Sequence, residues 1–530
     1  MRQLSEHDAA YIYSDSAHAN SNVTLLHIYD QSTAPGGVVR FKQILAHVES
    51  RLDKLPNFRE KILRVPLDLD YPYWVEDENF NLEYHVRHIA LPKPGDWRQF
   101  CIQSSRIHAR PLDLQRPLWE MYVIEGLDSF LDLPAGSFAV LLKIHHAAID
   151  VTHGNEITSL LHDLSPLAAP VAPPAPWFPE SPPGNLMLLC LASLNFATLP
   201  LRLAQPLSNS WTALKATVKT FAGEFLGRPH AFPATRFNTE VSPHRVFETR
   251  RFALADFKAI RALAPGASVN DVVLAVCAGG LRNYLYKQDE LPLDSLVAAA
   301  PVAVHGDLES DPHSNYSWVR VGLGTDIADP VERLVAIQKA SSSSAVMAQA
   351  LSARELTLLA QQAPSLAIVA TSKMLRSASA LLGDWAPLAN CAITNVPGSR
   401  EPLYLLGARL TYLSAIMPIS DGMGLVFSVT GYNNTIVVSF TCCYEQLPDP
   451  DVLAQCLRDS FQEYLALAQT AAPTKPRAAA RKRPRLPVAR AASAKPSRRT
   501  GAVSTGCRRH ADGRSRPVPA TAGAGRRGAA

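Results

Sequence analysis

Apolar positions run unbroken into a chemical feature at one place in this chain. The stretch SFAVLLKIHHAAID, residues 137–150, carries an apolar run, Phe138 to Ile144, straight into His145-His146, and Asp150 follows three small or apolar residues later. A helical pattern then begins near Gly154, with Ile157, Leu160, Leu161 and Leu164 on one face. This order predicts a buried strand, a short loop and a helix. Upstream, VTLLHIYD at 23–30 reads as a strand, and Val38, Phe41, Ile44, Leu45 and Val48 give 37–52 the spacing of an amphipathic helix. Residues 71–91 alternate like strands, Trp97 to Ala109 reads as a helix after the turn Pro92–Asp96, and Trp119 to Glu125 as another strand.

Residues 165–184 hold eight prolines, a composition that neither pairs into a sheet nor continues a helix, and so predict a stiff connector. Residues 185–226 look helical. From Phe247 to about Leu467 strands and helices alternate again: Ser268 to Asp271 is a helix cap before VVLAVCAGGLRNYL, Val297 to Val304 a buried strand, and Pro330 to Gln362 largely helical. Ala392 to Val396, Leu425 to Val429 and Thr435 to Cys443 read as strands, the last two around a turn at 432–434, and Pro450 to Ala468 as an amphipathic helix. The expected fold is mixed, α/β or α+β, in two packed domains: 1–164 with the histidine pair, 165–184 as linker, and 185–470.

Composition changes this picture at the end of the chain. The overall charge is +5 over 530 residues, but 471–530 hold 16 Lys and Arg against one Asp. The remainder holds 36 against 46 and is net −10. Those last sixty residues have almost no large apolar side chains and predict a disordered basic tail, either a site of attraction to anionic surfaces or a solvated extension. The eight cysteines form no C-x-x-C and no zinc spacing, and read as buried thiols of a reducing cytosol. The N-terminus lacks the plan of a signal peptide. Leu186 to Leu201 is apolar but interrupted by Asn195 and Pro200, which fits an amphipathic helix at a membrane or channel mouth better than a span.

A histidine pair at a strand end is compatible with a satisfied core feature, a metal site or a catalytic base. No further ligands at metal spacing stand nearby, so no metal is expected. The chain has no G-x-S-x-G, no P-loop and no G-x-G-x-x-G after a strand. A base without a protein nucleophile beside it suits direct transfer between two substrates.

HHAAID resembles the HHxxxD motif of the chloramphenicol-acetyltransferase-like acyltransferases. LSEHDAAYIY at 4–13, RPLDLQRPLWEMYVIEGL at 110–127, SVNDVVLAVCAGGLRNYL at 268–285 and ITNVPGSREPLYLLGARL at 393–410 resemble blocks of one branch, the bacterial wax ester synthase/diacylglycerol acyltransferases. The resemblance implies two chloramphenicol-acetyltransferase-like domains around a central channel. It implies fatty acyl-CoA as co-substrate with no further cofactor, and a diacylglycerol or long-chain alcohol as acceptor. It places the protein in the cytoplasm at the inner membrane face or on lipid inclusions, and nucleic acid is not among its partners.

By the same resemblance His146 is the base, His145 shapes the site and Asp150 holds the loop. Pro117, Leu118 and Trp119 support the motif, with Trp119 filling core, and Asn270 and Asp271 fix a helix. Two departures stand out: Val151 where the family has Gly, and His305 where it tends to have Arg. They motivate one alternative, a weak or inactive lipid-binding relative; a separate alternative keeps the chemistry with another alcohol as acceptor.

Overall fold

The computed structural model describes residues 1–127, 129, 133–134, 136–149, 157, 161–167, 177–195, 197, 232–303, 316–343, 389–396 and 398–471. In chain order the N-terminal elements are β1 (Arg2–Gln3), α1 (Glu6–Ser14), β2 (Asn22–Asp30), α2 (Phe41–Glu49), β3 (Glu60–Leu63), β4 (Tyr73–Glu76), α3 (Leu82–His85), β5 (Val86–Ala90), α4 (Trp97–Ala109), β6 (Trp119–Glu125) and β7 (Phe138–His145). Then come β8 (Arg245–Ala253), α5 (Leu254–Arg261), α6 (Val269–Lys287), β9 (Val297–Ala303), β10 (Tyr316–Gly322) and α7 (Pro330–Ser341). The chain closes with β11 (Cys391–Val396), β12 (Tyr404–Leu405), β13 (Ala408–Ile416), β14 (Leu425–Tyr432), β15 (Thr435–Cys443) and α8 (Pro450–Ala471).

Two six-stranded sheets organise these elements, in the orders β12-β13-β2-β7-β6-β5 and β10-β9-β11-β14-β15-β8, and both belong to one compact unit. Each is mixed: β5 runs parallel to β6, and β11 parallel to both β9 and β14, while the other pairs are antiparallel. A small third sheet, β1-β4-β3, lies beside the first.

β7 is buried along its whole length because both its faces are covered. Phe138, Val140, Leu142 and Ile144 pack with Trp119 and Phe58, while Ala139 and Leu141 pack with Phe100 and Ile107 of α4 and with Phe247 and Val437 of the second sheet. A strand covered on both faces is a continuous apolar run rather than an alternating one, which is why the sequence reads FAVLL there.

Local signals set most element ends. Asp96 caps α4 by accepting from Gln99 N–H at 2.8 Å. Ser268 and Asp271 form a reciprocal capping box at the start of α6. Asn433 and Asn434, with φ of 42° and 63°, make the tight hairpin between β14 and β15. Gly280 lets α6 and α8 meet closely, since a Cβ there would lie 3.1 Å from the Leu457 Cα.

Three expectations change. The helix expected over 37–52 is only Phe41–Glu49, because Gly36 and Gly37 turn with φ of 78° and 72° and short 3-10 turns flank the helix. The strand pattern at 71–91 is split by α3, which Asn81 caps by accepting from Glu83 N–H. β13 lies within the segment 185–470 yet joins the N-terminal sheet, pairing with β2 from Arg409↔Asp30 to Ile416↔Thr24. It covers the edge that β2 would otherwise leave exposed, and its residues are apolar enough to be buried there.

Most of the helix predicted from Gly154, most of 196–226, the extension of α7 past 343, His305 and nearly all of the basic tail lie outside the described residues, though Ile157 and Leu161 are helical. Among the described residues seven cysteines are free thiols; Cys190 is exposed and the other six are buried. Among the described residues no helix is long and apolar enough to cross a membrane.

Candidate active site

β7 ends at His145, and a 3-10 turn, His146–Ala148, follows at once. The strand end is pinned on both sides. His145 N–H donates to Leu118 O at 3.0 Å, and His146 N–H donates to Ser21 O at 2.8 Å. Leu118 thus supports the motif through its carbonyl.

Trp119 fills core, as expected. It is fully buried, stacks on His85 and meets Phe58 with tilted rings, the centroids 4.7 Å away in each case, and donates from Nε1 to Phe58 O at 2.9 Å. Pro117 O takes the Trp119 N–H at 2.9 Å.

The two imidazoles differ in what their ring atoms do. His145 is 1% exposed and both its nitrogens are committed. Nδ1 accepts from Ala147 N–H at 3.1 Å, and Nε2 donates to Asp15 Oδ2 at 3.0 Å. That pattern fixes the neutral Nε2–H tautomer, because a proton on Nδ1 would face the Ala147 N–H. His146 is half-buried at the turn, and its ring stacks on Tyr11 with centroids 3.9 Å apart and planes at 21°. Burial pushes the Tyr11 phenol up, with Asp8 adding to it, so this platform stays neutral at working pH.

Behind the pair lies a buried cation absent from the expected site residues. Lys143 shares the His145 face of β7 and is completely buried. Its Nζ donates to Arg110 O at 2.7 Å and Ile107 O at 3.2 Å, at the end of α4, and lies 3.4 Å from Glu120 Oε2. Burial lowers its pKa to about 8, with Glu120 opposing the shift. A charge inside an apolar run was its only sign in the sequence. Asp15 and Tyr11 gave no sign by spacing, since 130 residues separate Asp15 from His145.

A cavity of about 400 Å³ opens against the motif turn, with Leu55, Phe58, Ala148 and Ile157 among its apolar walls and Asn57 among its polar ones. Asn57 Nδ2 donates to Ala148 O at 3.3 Å, tying that wall to the turn.

The second sheet carries the remaining predicted residues. Asp271 holds the start of α6, accepting from Ser268 N–H at 2.7 Å, and receives the Ser341 hydroxyl of α7 at 2.6 Å. Asn270 does not cap the helix; it accepts from Asn395 Nδ2 at 3.1 Å, which joins two of the sequence blocks. Asp150 and Val151 lie outside the described residues.

Two mixed sheets, with a histidine pair delivered by a central strand of one of them, define the class: an acyltransferase of the chloramphenicol-acetyltransferase-like fold. The chain matches the wax ester synthase/diacylglycerol acyltransferase catalytic domain over residues 4–273 and the C-terminal domain of the same family over 315–464. It is 31% identical over 468 residues to a Mycobacterium tuberculosis (strain CDC 1551 / Oshkosh) protein named as a diacylglycerol O-acyltransferase, covering 88% of this chain and 90% of that one. A second protein so named, from strain H37Rv, is 32% identical over 484 residues, covering 90% and 99%.

Among solved structures, the wax ester synthase/diacylglycerol acyltransferase of Marinobacter aquaeolei VT8 superposes with a TM-score of 0.62 at 24% identity, over 88% of this chain and all of that one. The first condensation domain of the CDA synthetase shares the fold more distantly, at a TM-score of 0.50 and 14% identity, over 88% and 95%. The chain belongs to the wax ester synthase/diacylglycerol acyltransferase family, and it is an O-acyltransferase.

Proposed function

We propose that the protein transfers a fatty acyl group from acyl-CoA to the hydroxyl of a diacylglycerol or a long-chain alcohol, with His146 as general base. The observation that carries this assignment is the place of His146 at a half-buried turn directly after the buried strand, beside a His145 ring whose two nitrogens are held by Asp15 and the Ala147 N–H. His146 takes the hydroxyl proton as the alcohol oxygen attacks the thioester carbonyl. The carbon–sulfur bond then breaks, and the coenzyme A thiolate takes the proton back from the imidazolium. Charge builds on the carbonyl oxygen in between and needs hydrogen-bond donors. Asp150, by the family's pattern, holds the motif loop. The family match and the names of the relatives support the acyl donor and both acceptors.

The test is release of free coenzyme A from palmitoyl-CoA by the purified full chain, with dioleoylglycerol and with hexadecanol as separate acceptors. Turnover that depends on one or both acceptors is the expected result. Thiol release that is independent of either would mean hydrolysis, and would exclude the transfer.

The reading also puts the protein at a lipid surface, where both acceptors reside. Support comes from exposed apolar side chains around the helical stretch 185–195. Leu188 and Ala192 pack against Val65, Tyr73 and Val75, while Leu186, Met187 and Leu194 on the same stretch, and Phe178 before it, face outward. An outward apolar face of this kind marks a contact surface. Flotation with triolein emulsion droplets is expected to capture the protein, and Leu186→Glu with Met187→Glu to reduce capture several-fold. Equal capture of both forms would rule out this face.

A further inference from the structure

The first helix of the chain reaches the histidine pair from outside its sheet, and two of its residues contact the two rings. Tyr11, inside α1, stacks on the His146 ring. Asp15 caps the same helix and is half-buried, with its side chain 18% exposed. Its two oxygens take different donors: Oδ1 accepts from Ser21 N–H at 2.8 Å and Oδ2 from His145 Nε2–H at 3.0 Å. Ser21 then returns its own carbonyl to the His146 N–H at 2.8 Å. The loop after α1, the end of β7 and the turn that follows it are closed into one ring of hydrogen bonds through a single carboxylate.

We infer that α1 is part of the catalytic apparatus, with Asp15 and Tyr11 as positioning residues: Asp15 fixes the tautomer of His145 and the register of the His146 backbone, and Tyr11 sets the plane of the His146 ring. The inference rests on His146 being the base.

The chemistry is specific to a carboxylate. Two N–H donors converge on residue 15, so both of its terminal atoms must accept. An amide has one accepting atom, its oxygen, and one donating atom, its nitrogen. With Asn at 15, either the Ser21 N–H meets an N–H, or His145 must turn its tautomer so that Nε2 accepts. The second option moves the imidazole proton to Nδ1, against the Ala147 N–H that Nδ1 now receives. Either way the turn that carries His146 loses a fixed geometry. An orienting group of this type changes the rate of the chemical step more than substrate affinity, because it governs where the base sits and not what the substrate touches.

The experiment measures kcat and KM for palmitoyl-CoA on the full chain carrying Asp15→Asn, Asp15→Glu, Tyr11→Leu or His146→Ala. Asp15→Asn should lose about 10- to 100-fold in kcat, as orienting groups do, with KM changed by less than about threefold. Asp15→Glu, which keeps two accepting oxygens, should recover part of that loss. Tyr11→Leu keeps an apolar side chain against the site but no aromatic face, and should lower kcat with KM again held.

The inference is overturned if His146→Ala is inactive while Asp15→Asn and Tyr11→Leu both stay within twofold of the parent kcat. It is also overturned if Asp15→Glu is no better than Asp15→Asn. Should Asp15→Asn fail to give a cooperative melt, Tyr11→Leu decides alone by the same twofold limit. An active His146→Ala variant would remove the assignment of the base itself, and is thereby distinguished from failure of the positioning role.

Discussion

His146→Ala is expected to lower kcat by about 10²- to 10⁴-fold, the usual contribution of a positioned general base. At 1.36 kcal/mol per decade this raises the barrier by about 3 to 5 kcal/mol. The fold should tolerate the change, because the side chain is half-buried at a turn rather than inside the core. The turn's backbone bonds, His146 N–H to Ser21 O and Ile149 N–H to His146 O, do not involve the side chain. Thiol release with saturating acceptor, read beside a thermal melt, checks this. A variant that keeps its melting temperature and more than a tenth of its turnover would sink the assignment.

His145→Ala should behave differently. Its ring is buried and carries two hydrogen bonds, so its loss removes the bond that Asp15 Oδ2 accepts and the one that the Ala147 N–H donates, and lowers stability as well as rate.

Mild acid is expected to destabilise the protein well before its carboxylates titrate. Among the described residues six histidines are buried, and four of them, His27, His47, His85 and His108, are shifted by that burial. Burial is the largest cause holding each below the usual imidazole range, His47 at about 4 and His108 at about 3, with the Arg245 and Lys143 charges adding to the shift at His108. In the unfolded chain these rings titrate near ~6.5. Above that pH they are neutral in both states and the full stability is present. Below it the unfolded chain binds protons that the folded chain refuses, so stability falls with pH until the folded values are reached.

Each such ring costs about 1.4 kcal/mol per pH unit in that window. His47 and His108 together therefore remove about 4 kcal/mol between pH 6.5 and 5, a large share of the ~5–15 kcal/mol typical of a domain. The buried Glu248 carboxyl, raised by burial, acts in the opposite sense, but as a single group. Urea melts at pH 7.5, 6 and 5 measure the slope. A midpoint independent of pH over that range would show that these rings are hydrated in the folded protein. His47→Gln should flatten part of the dependence.

Much of this was legible from the order of residues. The buried strand ending in His145-His146, the helix Trp97–Ala109, the strand Trp119–Glu125 and the box that starts α6 are encoded locally. An apolar run, a capping side chain and a helical period each act within a few residues of where they are written.

Three features were decided only by tertiary structure. β13 left its half of the chain because the exposed edge of β2 needed a partner, and no local pattern says which sheet an apolar strand will join. The lysine inside β7 is tolerated because the carbonyls ending α4 and the Glu120 carboxylate come to meet it. The difference between the two histidines follows from α1: Asp15 reaches one ring and Tyr11 the other across 130 and 135 residues of chain. Identical side chains at adjacent positions carry no information about their roles. A hydrogen bond made between distant segments supplies it, because a proton's location depends on which acceptor lies within reach.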